Sequence, residues 1–324
     1  MSSSVLAICF QILYSLPRFQ IKYICLITFL LYAPHADAWE HVITKHFYIH
    51  YQPVDRRIAQ QLSQESDAIH QHISKDIGYR STRRTAVYLC PDVECFERQQ
   101  PGSQKAPRWA VGLAYPQLNR IVMRTAVTAK EGGQIKPLEI FTHETAHIIL
   151  EQALAERGGA PRWLSEGFSM LHARQWTIHR QQTIAEVTLR KRFIPLRLLT
   201  VSFPADERSA RIAYAQSFSL VSFLLHHSNR QLFPEFIAAL KRGMDTDTAL
   251  RASFGISLKT LEHDWQASLA ERYSCFEYLS NSALLWFVLS LIVISAYLMK
   301  CRQAKRIQEA WEEDEAEETD DAPK

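Results

Sequence analysis

Glycine is scarce in this chain, ten residues in 324, and proline contributes only thirteen. Neither is frequent enough for a collagen-like or linker-like polymer, and no self-similarity at a period of 20 to 50 residues is present, which excludes a solenoid. An excess of one charge is missing too. The 37 Lys and Arg against 34 Asp and Glu leave +3, and no basic stripe interleaved with aromatics marks a nucleic-acid surface. With 47% hydrophobic and 22% charged residues, what remains is a folded chain long enough for one large or two small domains.

Two uncharged apolar stretches carry targeting signals. Residues 23–33 (YICLITFLLYA) follow Arg18 and Lys22 and precede Pro34 and Ala36-Asp37-Ala38. Basic start, short apolar run and A-x-A site are the order of a secretory signal, so residues 1–38 read as a signal peptide. An uncleaved anchor competes with this reading, because residues 4–16 are also largely apolar. At the other end no charge occurs between Glu277 and Lys300. The uncharged residues 278–299 rise ~1.5 Å each as a helix and reach about 33 Å, enough for a bilayer core.

Lys300, Arg302, Lys305 and Arg306 follow at once, as the positive-inside rule expects of a cytoplasmic flank. The expected order is therefore signal peptide 1–38, exported domain 39–277, transmembrane helix 278–299 and cytoplasmic tail 300–324. The tail carries a net −4 with few apolar residues, and a frayed helix or a disordered segment is expected there.

Six cysteines fall in three settings. Cys9 and Cys25 leave with the signal, Cys301 lies just inside the membrane, and Cys90, Cys95 and Cys275 belong to the exported part. Export permits disulfides, and Cys90 with Cys95 is the best-placed pair, leaving Cys275 odd. A CxxxxC spacing without a second Cys/His pair is a poor zinc-finger pattern.

Within the exported part, short runs alternate apolar and polar residues at 46–51, 85–90, 110–115 and 120–125, and residues 54–77 have helical spacing. From Pro137 the pattern turns helical, over about 138–154, 162–174, 210–227, 231–242 and 257–272. The expected fold is α+β, a small mixed sheet followed by a helical half. His46, His50, His226 and His227 have no ligand spacing to one another and read as structural.

The chemistry lies in His143-Glu144-Thr145-Ala146-His147. At i and i+4 two imidazoles share one helix face and can bind one Zn²⁺, while Glu144 is placed to take a proton from water at the metal. A surface helix with two histidines is the competing explanation. A catalytic zinc needs a third protein ligand and an open position. Nineteen residues on, Glu166 sits in Pro161-Arg-Trp-Leu-Ser-Glu-Gly, where a helix, a Gly158-Gly159 turn and a returning helix bring it beside the His pair. His/His/Glu is a catalytic ligand set.

HETAH, WLSEG and the later Ala213-Tyr214-Ala215-Gln216-Ser217 resemble the gluzincin metallopeptidases of the thermolysin-like superfamily, and more closely the peptidase MA-like family. The resemblance implies zinc ligands at His143, His147 and Glu166 and a general base at Glu144. It implies an oxyanion donor at Tyr214, which could equally be a core tyrosine. It further implies that the strand at 120–125 is the edge along which an extended substrate lies. One place departs from the pattern: Met170 stands where thermolysin-like members have an Asp supporting a ligand histidine.

The resulting expectation is a membrane-anchored zinc metallopeptidase acting outside the cytoplasm on peptides or proteins of the cell envelope. The alternative is a catalytically silent, membrane-anchored binding or assembly module that keeps the fold. The charges at Glu139 and Glu151 lie too close to the motif for a membrane-spanning helix, which argues against an intramembrane protease.

Overall fold

The computed structural model describes residues 39–81, 83–103, 105–106, 110–126, 136–155, 159–227, 230–273 and 282–320. The expected signal peptide, Cys275 and Gly158 lie outside the described residues. The described residues divide into two compact units, those up to residue 75 with those of 80–149, and those of 76–79 with those from 150 on. The fold is α+β.

The first unit holds a five-stranded sheet in the order β1-β2-β3-β5-β4. Its strands are β1 (Glu40–Ile43), β2 (Phe47–Tyr51), β3 (Thr85–Cys90), β4 (Gly112–Tyr115) and β5 (Arg120–Arg124). β1 and β2 form an antiparallel hairpin. β2 and β3 are parallel, a pairing that needs a long crossover, and α1 (Arg56–Ile77) supplies it. A short helix, α2 (Val93–Gln99), is capped by the Asp92 side chain, which accepts from the Cys95 N–H. Sequence periodicity did not reveal α2, because seven residues are too few to set a period.

β5 is parallel to β3 and antiparallel to β4. It is therefore an interior strand, and the expectation of an edge at 120–125 is corrected: β4 is the edge. Alternation along β5 shows which side faces the core, but strand order depends on partners far away in sequence.

One sheet face packs Phe47, Ile49, Val87, Leu89, Ile121 and Met123 against Ala59 and Leu62 of α1 and against Ile140, Phe141 and Ile148. The last three belong to α3 (Pro137–Ala153). Proline suits the first turn, where its missing N–H is not needed. Cys90, Cys95, Phe96, Ala110 and Val122 form a smaller core on the other face. Cys90 and Cys95 are free and buried, so the expected bridge is not formed. A hydrogen bond with Cys95, followed by burial, pushes the Cys90 thiol far above the usual thiol range.

His46 and His70 are structural, as expected for His46. The Asp67 carboxylate receives Thr44 Oγ1, the Lys45 and His46 N–H groups and His46 Nδ1, each at 3.0 Å. This clamps the β1–β2 turn to α1. His70 stacks on His46 with ring centroids 3.9 Å apart, and burial, then His46, push its pKa down to about 4. Unfolded His70 binds a proton below about pH 6.5 while the native ring stays neutral down to about 4, so stability falls as pH drops across that window. The loss amounts to at most about 3 kcal/mol. Denaturant titrations at pH 7 and pH 4.5 should show a smaller pH dependence in His70→Phe than in wild type; equal slopes would assign the acid sensitivity elsewhere.

The second unit is helical: α4 (Arg162–His172), α5 (Ile178–Leu189), α6 (Leu196–Val201), α7 (Glu207–His227), α8 (Phe233–Lys241), α9 (Thr246–Phe254), α10 (Leu258–Tyr273) and α11 (Ser282–Asp320). α4 is buried without interruption from Trp163 to Met170. It can cross α7 closely because Gly167 has no side chain: a Cβ there would lie 2.2 Å from the Ser217 carbonyl oxygen. Gly167→Ala should cost about 1–3 kcal/mol by overpacking, read as a lower denaturation midpoint; an unchanged midpoint would mean that the helices separate freely. α11 runs unbroken to Asp320, so of the two expectations for the tail, a frayed helix or a disordered segment, the described residues take the helix. Its segment Leu285–Gln308 is long and apolar enough to cross a membrane, and none of it is buried within the chain.

Candidate metal centre

α3 presents His143 and His147 one turn apart, with their Nε2 atoms at 3.1 Å. Two nitrogens bound at ~2.05 Å to one tetrahedral zinc stand about 3.3 Å apart, so the pair is spaced for a common ion. α3 continues to Glu151, whose carboxylate accepts from the Ala160 N–H at 3.2 Å and from Ser165 Oγ at 3.1 Å. Gly159 (φ +106°) permits the approach, since a Cβ there would lie 2.7 Å from Glu151 Oε2. These bonds tie residues 160 and 165 to Glu151, and Ser165 immediately precedes Glu166. One ligand atom each from His143, His147 and Glu166 lies within 4.8 Å of the other two. The donor set and its spacing fit zinc.

Glu144 is 8% exposed. Its carboxylate lies against the backbone of the edge strand: a Cβ on Gly112 would stand 2.5 Å from Glu144 Oε1. The phenol of Tyr115, on the same strand, is pushed up by burial and then by the Glu144 charge. Sequence reasoning passed over Gly112, although a glycine inside a strand pattern signals close backbone approach.

Glu166 is 4% exposed, and its Oε1 lies 2.6 Å from Arg162 Nη2. The Arg162 guanidinium sits 5.7 Å from the centre of the Phe203 ring, which meets the Tyr214 ring edge-on at 5.0 Å. Tyr214 is half-buried on α7. Met170 is fully buried core, and the group found on the Glu166 side chain is Arg162, which sequence reasoning did not single out. Among the described residues His72, Asp76 and His172 also meet the distance test for a metal group. There Asp76 Oδ2 pairs with Arg230 Nη2 at 2.5 Å, much as Glu166 Oε1 pairs with Arg162.

The family model of the Peptidase MA superfamily matches residues 66–271, and the chain belongs to that superfamily. No curated protein matches it. Among solved structures, a two-domain M1 zinc metallopeptidase mutant bound to L-arginine is similar at 14% identity and a TM-score of 0.40, over 73% of this chain and 51% of that one. A second such mutant, bound to L-tryptophan, is 15% identical with a TM-score of 0.39, over 70% and 50%. An M1 zinc metallopeptidase mutant from Deinococcus radiodurans bound to a Tyr-Ser-Ala substrate is 13% identical with a TM-score of 0.37, over 72% and 50%. The chain spans about half the length of these structures.

Proposed function

We propose that this chain is a zinc-dependent metallopeptidase, held in a membrane by α11 and hydrolysing peptide bonds outside the cytoplasm. The observation that carries the reading is the pair of His143 and His147 Nε2 atoms 3.1 Å apart on α3, the helix that also bears buried Glu144, with Glu166 of α4 as the third member of the candidate ligand group. The three residues would hold the ion, leaving a fourth position open. Zinc bound there supplies Lewis-acid polarisation of a peptide carbonyl and lowers the pKa of water.

The remaining steps belong to the chain. Glu144 takes the proton from the attacking water and passes it to the leaving amine, as a buried carboxylate facing the cleavage point can. Tyr214 donates its phenolic O–H to the developing oxyanion. Among the described residues β4 ends the sheet, and an edge of this kind can pair its main chain with an extended peptide, leaving side-chain choice to flanking pockets. Gly112 keeps that edge open against Glu144. Incubating the full chain in detergent with a broad peptide library, with and without a chelator, tests this reading. Cleavage that stops on chelation and returns with zinc is expected; no cleavage by the metal-loaded protein would remove it.

The domain order proposed is a signal peptide at 1–38, a peptidase domain at 39–277, a span at 278–299 and a tail at 300–324. The substrates proposed are peptides or proteins of the cell envelope, which an exported domain tethered to a bilayer would meet first. Lys300, Arg302, Lys305 and Arg306 on α11 support a cytoplasmic C-terminus. Protease added to intact cells should digest the peptidase domain and spare a C-terminal epitope tag; the reverse pattern would invert the topology.

A further inference from the structure

Arg162 is the first residue of α4, a poor place for it on helix grounds alone. A cation in the first turn opposes the helix dipole. Within an i,i+4 pair, a base preceding an acid is also the weaker order. Yet its guanidinium lies 2.6 Å from Glu166 Oε1, with the Glu166 side chain 5% exposed and the Arg162 side chain 49% exposed. The arrangement is explained by what the guanidinium does for the carboxylate.

A buried carboxylate with one oxygen unheld can rotate about its last bond, and a ligand free to rotate must be ordered when the metal binds. A charge-assisted hydrogen bond to one oxygen fixes the carboxylate plane and leaves the other oxygen in a set direction. Phe203 lies under the guanidinium at 5.7 Å, close enough for cation–π attraction. The edge of Tyr214 braces that same ring. Glu166, Arg162, Phe203 and Tyr214 thus form one string, from a metal ligand to the proposed oxyanion donor.

We propose that Arg162 is a positioning residue that preorganises Glu166 for the metal, an inference that rests on the ligand set of the proposed function. Its substitution changes the affinity for zinc, whereas a guanidinium that merely neutralised buried charge would change stability alone.

The test measures zinc affinity of the full chain in detergent by competition with a chromophoric chelator, and the visible spectrum of the cobalt-substituted protein. Arg162→Ala and Arg162→Met should each bind zinc about 10- to 100-fold more weakly than wild type and alter the cobalt spectrum. Arg162→Lys should recover part of the loss, having charge but no planar fork. Arg162→Met keeps most of the aliphatic stem and carries the test if the alanine variant does not fold. Wild-type zinc affinity and cobalt spectrum in Arg162→Met would overturn the proposal. Glu166→Ala separates the two readings. If it binds zinc like wild type, the ligand set is wrong; if it loses zinc while Arg162→Met does not, only the positioning role falls.

Discussion

Glu144→Gln is expected to keep its zinc and lose turnover by about 10²–10⁴-fold, the usual contribution of a positioned general base. Glutamine has nearly the volume of glutamate, so the packing against Gly112 survives while the proton acceptor is lost. Metal content and melting temperature should match wild type, with the loss confined to kcat. If Glu144→Gln cleaves peptides at the wild-type rate, the mechanism is wrong. If the wild-type chain, loaded with zinc, cleaves none of a broad library, the silent binding module takes its place. Tyr214→Phe is the graded companion. Its ring still meets Phe203, so a merely packing role predicts wild-type kinetics, while the loss of one oxyanion donor costs about 10²–10³ in kcat.

Removing a ligand should have the largest effect on the metal itself. A four-ligand structural zinc in a small peptide is worth about 10–16 kcal/mol at neutral pH. Shared among the ligands, that makes each of His143→Ala, His147→Ala and Glu166→Ala about 10²–10³-fold weaker in zinc affinity. Alanine is the best helix former, so α3 and α4 should persist and circular dichroism should change little. Metal analysis after dialysis against a mild chelator reads the outcome. A His143→Ala/His147→Ala variant that retains as much zinc as wild type would place the ion elsewhere, with His72, Asp76 and His172 as the next group to examine.

The parts of the site visible in the sequence are the local ones. His143, Glu144 and His147 need only an α-helix to come together, because i and i+4 meet on any helix, and the helix expected over about 138–154 is α3 at Pro137–Ala153. Glu166 was legible one step further, from a turn followed by a helix. Short helices were harder: α2, α5 and α9 start on the side-chain caps Asp92, Thr177 and Asp245, and α6 has only six residues, too few to set an apolar period.

What the sequence by itself determined was the α+β class, the HExxH helix with its third carboxylate, and an apolar segment near the C-terminus. These follow from composition, from the i,i+4 spacing of the two histidines, and from a single turn between the two helices that carry the motif and Glu166. The tertiary structure alone decided that β4 and not β5 is the edge. It also decided that Gly112 makes room for Glu144, and that Glu151 ties α4 to α3. Each pairs groups whose separation along the chain is set by loops and crossovers. Side-chain periodicity reports which face a residue occupies and carries no information about which distant element will cover it.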